Sequence, residues 1–300
     1  MSWLRISFGM LLLATNTTLH VPPLLLAALL KAILPLRAFR RACDFVLMAI
    51  AASWIGINTT LIRSFTRTRF LVDIDANLQA QGHYLVLANH QTWVDIPVLQ
   101  AVLNRRVPLL RFFLKSQLFW VPLLGLAWWA LDFPFMKRYT REQLAKRPEL
   151  AGRDIAATRR ACAKFMQIPV AIMNFVEGTR FTPDKHAKQE SPFTHLLKPK
   201  AGGIAFVLDA MGRALHSILD VTIVYPRGRP TMFDLMADRV GEVHVSIRER
   251  PIPAELLAGD YQNDPAFRER LQSWLNDLWA DKDRTIGAVL AQPAPAPASA

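Results

Sequence analysis

Two regimes of apolar and polar positions follow one another along this chain and meet between residues 65 and 70. Residues 6–36 are almost uncharged, Lys31 being the exception, and Phe45 to Ile62 run eighteen positions without a charge. That length is the lower limit for a helix crossing a bilayer. Asn16-Thr17-Thr18 and Pro22-Pro23 interrupt the first stretch, and no convincing A-x-A cleavage site follows it, which argues against a secretory signal. Arg37, Arg40 and Arg41 precede the second stretch, while Arg63, Arg67 and Arg69 follow it. Positive charge on both flanks conflicts with a single span under the positive-inside rule. A pair of spanning helices and a helical hairpin lying in one leaflet both satisfy the pattern. Two core helices of a soluble domain are the bland alternative. Membrane attachment is the favoured reading, with its mode open.

From residue 70 short apolar runs alternate with segments of helical period. Strands are predicted at 70–74, 84–88, 107–114, 133–136, 170–176, 219–225 and 243–247, and helices at 96–103, 142–146, 154–165, 203–211 and 265–279. Asp264 before Pro265 predicts an N-cap with proline at the first helical position. This alternation predicts an α/β fold, a mostly parallel or mixed sheet flanked by helices, preceded by an N-terminal apolar helical membrane-anchoring segment. Residues 185–200 read as a long basic loop, and 292–300, with its Pro-Ala alternation, as a disordered tail. The expected units are 1–65 for the membrane-associated helices, 66–290 for the α/β domain and 291–300 for the tail.

Composition narrows the class. Apolar residues make up 52% of the 300, high for a soluble protein and low for a multi-spanning transporter. Cys43 and Cys162 lie far apart with no CxxC or Cys/His cluster, so neither a disulfide framework nor a structural zinc is expected. Net charge is +12, and residues 1–70 carry eight basic residues against one acidic. Residues 101–200 carry eighteen against seven, while the last hundred carry ten against thirteen. Positive charge beside apolar segments points to an anionic membrane surface or a phosphorylated ligand. No nucleic-acid-binding signature occurs.

Candidate chemistry gathers at strand ends. The apolar run 83–88 leads into Asn89-His90-Gln91-Thr92-Trp93-Val94-Asp95, and helical spacing resumes at Ile96. Within one continuous helix, His90 and Asp95 would point about 140° apart. A turn between strand and helix instead lets the carboxylate fold back onto the imidazole, as a base and its orienting partner do. From this spacing alone, a loop histidine near a capping aspartate is the commoner outcome. A second apolar run, 170–176, leads directly into Glu177-Gly178-Thr179-Arg180. That quartet sits where α/β sheets hold ligands, outside the carboxyl ends of strands. Gly178 permits a backbone closed to other residues, and Arg180 offers a planar fork for phosphate or carboxylate. Asp132-Phe133-Pro134-Phe135-Met136 into Lys137-Arg138 would deliver Arg138 to the same edge. The run 221–226 ends in Tyr225-Pro226, and either a core strand or substrate contact fits it.

These four strand ends, in this order, resemble the glycerolipid acyltransferase family, the lysophosphatidic acid acyltransferases. The resemblance covers roughly residues 70–230 and includes Lys115, Pro122 and Gly125 between the first two motifs. The form Phe-Pro-Phe-Met-Lys-Arg is most similar to a bacterial inner-membrane branch, although many relatives carry an acidic or small residue where Lys137 stands. The resemblance implies His90 as general base and Asp95 as the group that holds its tautomer. It implies Arg138 and Arg180 as the phosphate grip, Glu177 as the residue orienting Arg180, and Gly178 and Thr179 in the acceptor loop. Lys115 would add positive potential. The implied reaction moves a fatty acyl group from acyl-CoA or acyl carrier protein to the hydroxyl of a lysophospholipid, foremost lysophosphatidic acid. No metal and no further cofactor are implied, and the catalytic domain would face the cytoplasm from the bacterial inner membrane. The alternatives are another lysophospholipid or glycerol 3-phosphate as acceptor, and a non-catalytic protein binding anionic lipid.

Overall fold

The computed structural model describes residues 2–136, 162–166, 168–257 and 259–292. The predicted helix 142–146, most of that at 154–165, Lys137, Arg138 and the tail from 293 lie outside them.

Helices α1 (Ser2–Ile33) and α2 (Arg37–Phe65) form an antiparallel hairpin that turns at Leu34-Pro35-Leu36. Contrary to the interruptions expected from sequence, α1 runs straight through Asn16-Thr17-Thr18 and Pro22-Pro23. The polar side chains bond across the hairpin. Asn16 Nδ2 donates to Asn58 Oδ1 at 2.8 Å, Trp54 Nε1 to Thr17 Oγ1 at 3.1 Å, and His20 Nε2 meets Ser53 Oγ at 3.2 Å. Polar positions that look like breaks in one helix are therefore the seam between two. Between the arginines near its ends, the hairpin surface is largely apolar and open, with about a fifth of each apolar window buried.

The central sheet has six strands in the order β1-β8-β7-β2-β6-β3. These are β1 (Arg69–Asp75), β2 (His83–Ala88), β3 (Leu110–Phe112), β6 (Val170–Phe175), β7 (Ser217–Val224) and β8 (Glu242–Arg250). Strands β7, β2, β6 and β3 run parallel, and β8 pairs antiparallel with β7. The sheet is thus mixed. The predicted strand 107–114 divides into β3 and β4 (Leu114–Lys115), and β4 pairs with β5 (Phe135–Met136) in a separate two-stranded ribbon.

Period-two alternation puts a core on each face. Leu85, Leu87, Val170 and Ile172 face α6 (Gly202–Met211) and α8 (Pro265–Leu290), whereas Tyr84, Val86, Ala88 and Met173 face α3 (Asp95–Leu103). Ile6 and Ile62 of the hairpin join this second core. Lys31 joins α1 to α2 through Asp44 at 2.6 Å and ties the hairpin to the domain through Asp132 at 3.2 Å.

Asp264 caps α8 by accepting from the backbone N–H groups of Ala266 and Phe267, with Pro265 in the first turn, as the sequence predicts. The helix continues eleven residues past the predicted end at 279, because Lys282 turns inward. Its ammonium is fully buried and donates to Asp220 Oδ1 and the carbonyl of Val221, both at 2.6 Å. The expected loop over 185–200 contains α5 (Pro183–Gln189), capped by Thr182. Two further short helices are α4 (Leu124–Ala130) and α7 (Met232–Met236).

Candidate active site

Parallel strands β2, β6 and β7 end side by side, so residues that follow each strand meet at one sheet edge. Asn89 leaves β2 fully buried and pairs with β7, donating to the carbonyl of Ile223 and accepting its N–H, both at 2.9 Å. This exchange through the Asn89 side-chain amide anchors the base of the turn to β7. His90 to Val94 then form that turn, and α3 begins at Asp95.

The turn brings Asp95 back to His90. Oδ2 of Asp95 lies 2.8 Å from His90 Nδ1 and accepts backbone N–H groups from Gln91 at 2.6 Å and Thr92 at 2.9 Å. Oδ1 accepts the Tyr225 hydroxyl at 2.9 Å. Asp95 is inaccessible to solvent, and these four donors satisfy it in the charged state. A carboxylate acceptor at Nδ1 puts the imidazole proton there and leaves Nε2 as the basic nitrogen. Nε2 has no partner among the described residues. The ring stacks on Phe175 at 3.9 Å between centroids, so it is held from two sides. Burial and the Asp95 charge together push the Tyr225 phenol well above its ordinary value, keeping it a donor.

After β6, Gly178 adopts φ +70°, where a side chain would be strained. The resulting turn bonds directly to the histidine segment, since the Phe181 N–H donates to the His90 carbonyl at 2.8 Å. Glu177 corrects one expectation. Its carboxylate does not orient Arg180; it is fully buried and accepts the N–H of His90 at 3.1 Å and of Leu197 at 3.3 Å. Burial raises its pKa to about 8 against the opposing pull of those N–H groups. Glu177 therefore holds the His90 backbone from inside the protein and is closed to solvent.

Arg180 is exposed, and its guanidinium lies over the Trp93 ring at 4.6 Å. Thr179 Oγ1 accepts from Lys185 Nζ at 2.8 Å, and the same ammonium reaches the Arg180 carbonyl at 3.0 Å. The Lys200 side chain lies close beside Gly178, and Arg229 sits over Phe181 at 4.6 Å. Lys185, Lys200, Arg229 and the Tyr225–Asp95 bond escaped the sequence reading. Lys115 is exposed on β4, in register with Met136, two positions before Arg138. Phe112 stacks on Phe175 and brings β3, three residues before Lys115, to this edge. Cys162 is buried with its thiol pushed up to about 12, so it offers no nucleophile at neutral pH.

A cavity of about 500 Å³ lies elsewhere, between α2 and the loops that enter β2, β3 and β6, lined by Phe45, Met48, Leu103, Leu110 and Ile168. Those loops are at the opposite ends of the strands from His90.

A family model described as Acyltransferase matches residues 69–226. The chain is 23% identical over 282 residues to the mouse 1-acyl-sn-glycerol-3-phosphate acyltransferase epsilon, covering 86% of this chain and 70% of that protein. It is 24% identical over 213 residues to the mouse gamma enzyme, covering 67% and 52%. Matched regions thus span between about half and seven-tenths of these relatives. The fold resembles the crystal structure of the 1-acyl-sn-glycerophosphate (LPA) acyltransferase PlsC from Thermotoga maritima. The TM-score is 0.57 at 16% identity, covering 98% of this chain and all of that one.

Proposed function

Since the chain belongs to the acyltransferase family, we propose that it transfers a fatty acyl group from a thioester to the free hydroxyl of a lysophospholipid, with lysophosphatidic acid as acceptor and phosphatidic acid as product. The observation that carries this reading is the 2.8 Å contact from His90 Nδ1 to the buried Asp95 carboxylate. Nε2 takes the acceptor hydroxyl proton as its oxygen attacks the thioester carbonyl. The tetrahedral intermediate collapses by breaking the C–S bond, and the thiolate leaves with the proton returned from His90. Asp95 stabilises the imidazolium between these steps. General base catalysis of this kind supplies about 10²- to 10⁴-fold in rate. The thioester is already activated, so no covalent acyl-enzyme is needed.

Arg180 and Arg138 hold the acceptor phosphate in this reading, with Lys115, Lys185, Lys200 and Arg229 adding positive potential. The donor is acyl-CoA or acyl carrier protein, and the catalytic edge faces the cytoplasm from the bacterial inner membrane. The apolar hairpin fits an acceptor that stays in lipid. Exposing its chain to water would cost about 0.8 kcal/mol per methylene.

Purified protein in phospholipid vesicles, one acyl-CoA and a panel of lysophosphatidic acid, other lysophospholipids and glycerol 3-phosphate test the proposal. Fastest acylation of lysophosphatidic acid, lost in folded His90→Ala, is the expected result. Faster transfer to another acceptor overturns the substrate assignment. Lipid binding without transfer to any acceptor overturns the enzyme reading.

A further inference from the structure

Between Lys115 and Asp132 the chain runs sixteen residues without a charge, and this stretch is not part of the N-terminal hairpin. It comprises a 3₁₀ turn (Ser116–Trp120), a tight bend and α4. Trp120 is 81% exposed, Trp129 57% and Leu126 44%, and Leu123 is exposed at the bend. Leu123, Leu126 and Trp129 follow at intervals of three, one stripe of the helix surface. The opposite side is small and buried: Ala127 and Ala130 pack with Val21, Leu24 and Ala27 of α1. An apolar stripe therefore points outward from a helix already attached to the apolar hairpin.

The bend is built to hold this display. Leu123 adopts φ +62°, a left-handed conformation costly for leucine. The helix is closed over it by the Ala127 N–H donating to the Leu123 carbonyl at 3.0 Å. A Cβ on Gly125 would fall 1.8 Å from the Phe119 carbonyl oxygen, so only glycine fits there. Phe119 packs edge-on against Phe135 at 5.6 Å and fixes the turn to the small ribbon. Local strain thus coincides with outward-facing tryptophan and leucine, which a water-facing loop gains nothing by presenting.

We propose that segment 120–129 is a third membrane-contacting element, seated at the headgroup–acyl boundary of the leaflet that receives the hairpin. Tryptophan suits that boundary because its indole is apolar over most of its surface and carries one N–H donor. Lys115, exposed just before the segment, adds positive charge suited to anionic headgroups. The segment begins at the catalytic edge, five residues beyond Lys115 and eight beyond Phe112, whose ring stacks on Phe175 beneath His90. Seating it on lipid brings that edge to the membrane surface, whatever the acyl acceptor.

The test uses the full chain in vesicles of phosphatidylcholine and phosphatidylglycerol, with Cys43 and Cys162 replaced by Ala. Single sites Trp120→Cys and Leu126→Cys carry an environment-sensitive fluorophore. Phe45→Cys on the exposed face of α2 and Arg213→Cys on the exposed domain surface are the references. Quenching at 120 and 126 by doxyl-labelled acyl chains, with protection from aqueous iodide, is expected. Quenching by iodide alone, as at 213, overturns the proposal. Should the cysteine-free chain fail to fold, the natural chain serves with Trp120→Tyr and Trp129→Tyr. Intrinsic fluorescence quenching by brominated lipid should then fall, and an unchanged value overturns the proposal. Neither readout involves acyl transfer, so it stands or falls separately from the enzymatic assignment.

Discussion

The Tyr225 hydroxyl donates to Asp95 Oδ1 across 2.9 Å, from a residue 130 positions further along the chain. Oδ2 is already taken by His90 and two backbone N–H groups, so Tyr225 supplies the donor on the carboxylate's other side. Tyr225→Phe leaves that buried oxygen short of a partner, at a cost of about 1–3 kcal/mol in stability. In the proposed mechanism it also loosens the group that orients the base. Turnover should fall about tenfold, equal to about 1.4 kcal/mol of barrier, with the acceptor KM unchanged. Thermal unfolding and steady-state kinetics measured together check this. Lower stability at full turnover would make the bond structural only.

Arg180 rests on the Trp93 ring and is free to meet an anion from the solvent side. If Arg180 holds the acceptor phosphate as proposed, Arg180→Ala removes charge-assisted hydrogen bonds worth about 1.5–3 kcal/mol in all, so the acceptor KM should rise by about ten- to a hundredfold. Trp93→Ala removes only the ring face, about 0.5–1 kcal/mol at an exposed site, and should raise KM a few-fold. Arg180→Lys should fail to restore the wild-type value, because an ammonium cannot make the two-pronged contact. Equal acceptor kinetics in all three variants would remove Arg180 from the binding site.

Glu177 gives the protein a pH-dependent stability. Burial holds its carboxyl protonated up to about 8, whereas the unfolded chain ionises it near the ordinary 4.5. Between those values the native state keeps a proton that the unfolded state has lost, so stability falls as pH rises through the window. Glu177→Gln should flatten this slope. It should also lower stability by about 1–3 kcal/mol, because an amide cannot accept from both the His90 and Leu197 N–H groups. Urea midpoints in detergent at steps between pH 4.5 and 8 follow the change, and an unchanged slope would assign it to other groups.

Lys282 and Asp220 form a buried pair at 2.6 Å, with Arg250 Nε 3.1 Å from the second carboxylate oxygen. Lys282→Met leaves Asp220 with Arg250 alone and should cost about 3–5 kcal/mol, the usual consequence of removing one partner of a buried pair. Adding Asp220→Asn should recover part of the loss. Unfolding midpoints of the two variants decide, and a double variant less stable than the single one would refute the pairing argument.

Strand positions were legible because burial on both sheet faces writes a continuous apolar run into local sequence, as in 84–88 and 170–176. The β3/β4 break was not, since β4 leaves the central sheet to pair with β5, a partner twenty-one residues further along. Helix α5 did carry a local signal, Thr182-Pro183-Asp184, but the basic residues after it suggested a loop. The polar seam of the hairpin read as interruption because each partner lies on the other helix.

At the sheet edge that carries His90, the sequence by itself determined which residue types meet: His90 and Asp95 on either side of a turn, and the quartet 177–180 after an apolar strand. Their spacing is local, and a strand followed by a turn has few ways to place them. Tertiary structure alone decided their partners. Tyr225 reaches Asp95, Asn89 reaches Ile223, and Glu177 holds the His90 backbone instead of Arg180, because parallel strands distant in sequence lie in one register. Hydrogen-bond partners are chosen by that register and by the need to satisfy every buried polar group, and neither is written in local periodicity.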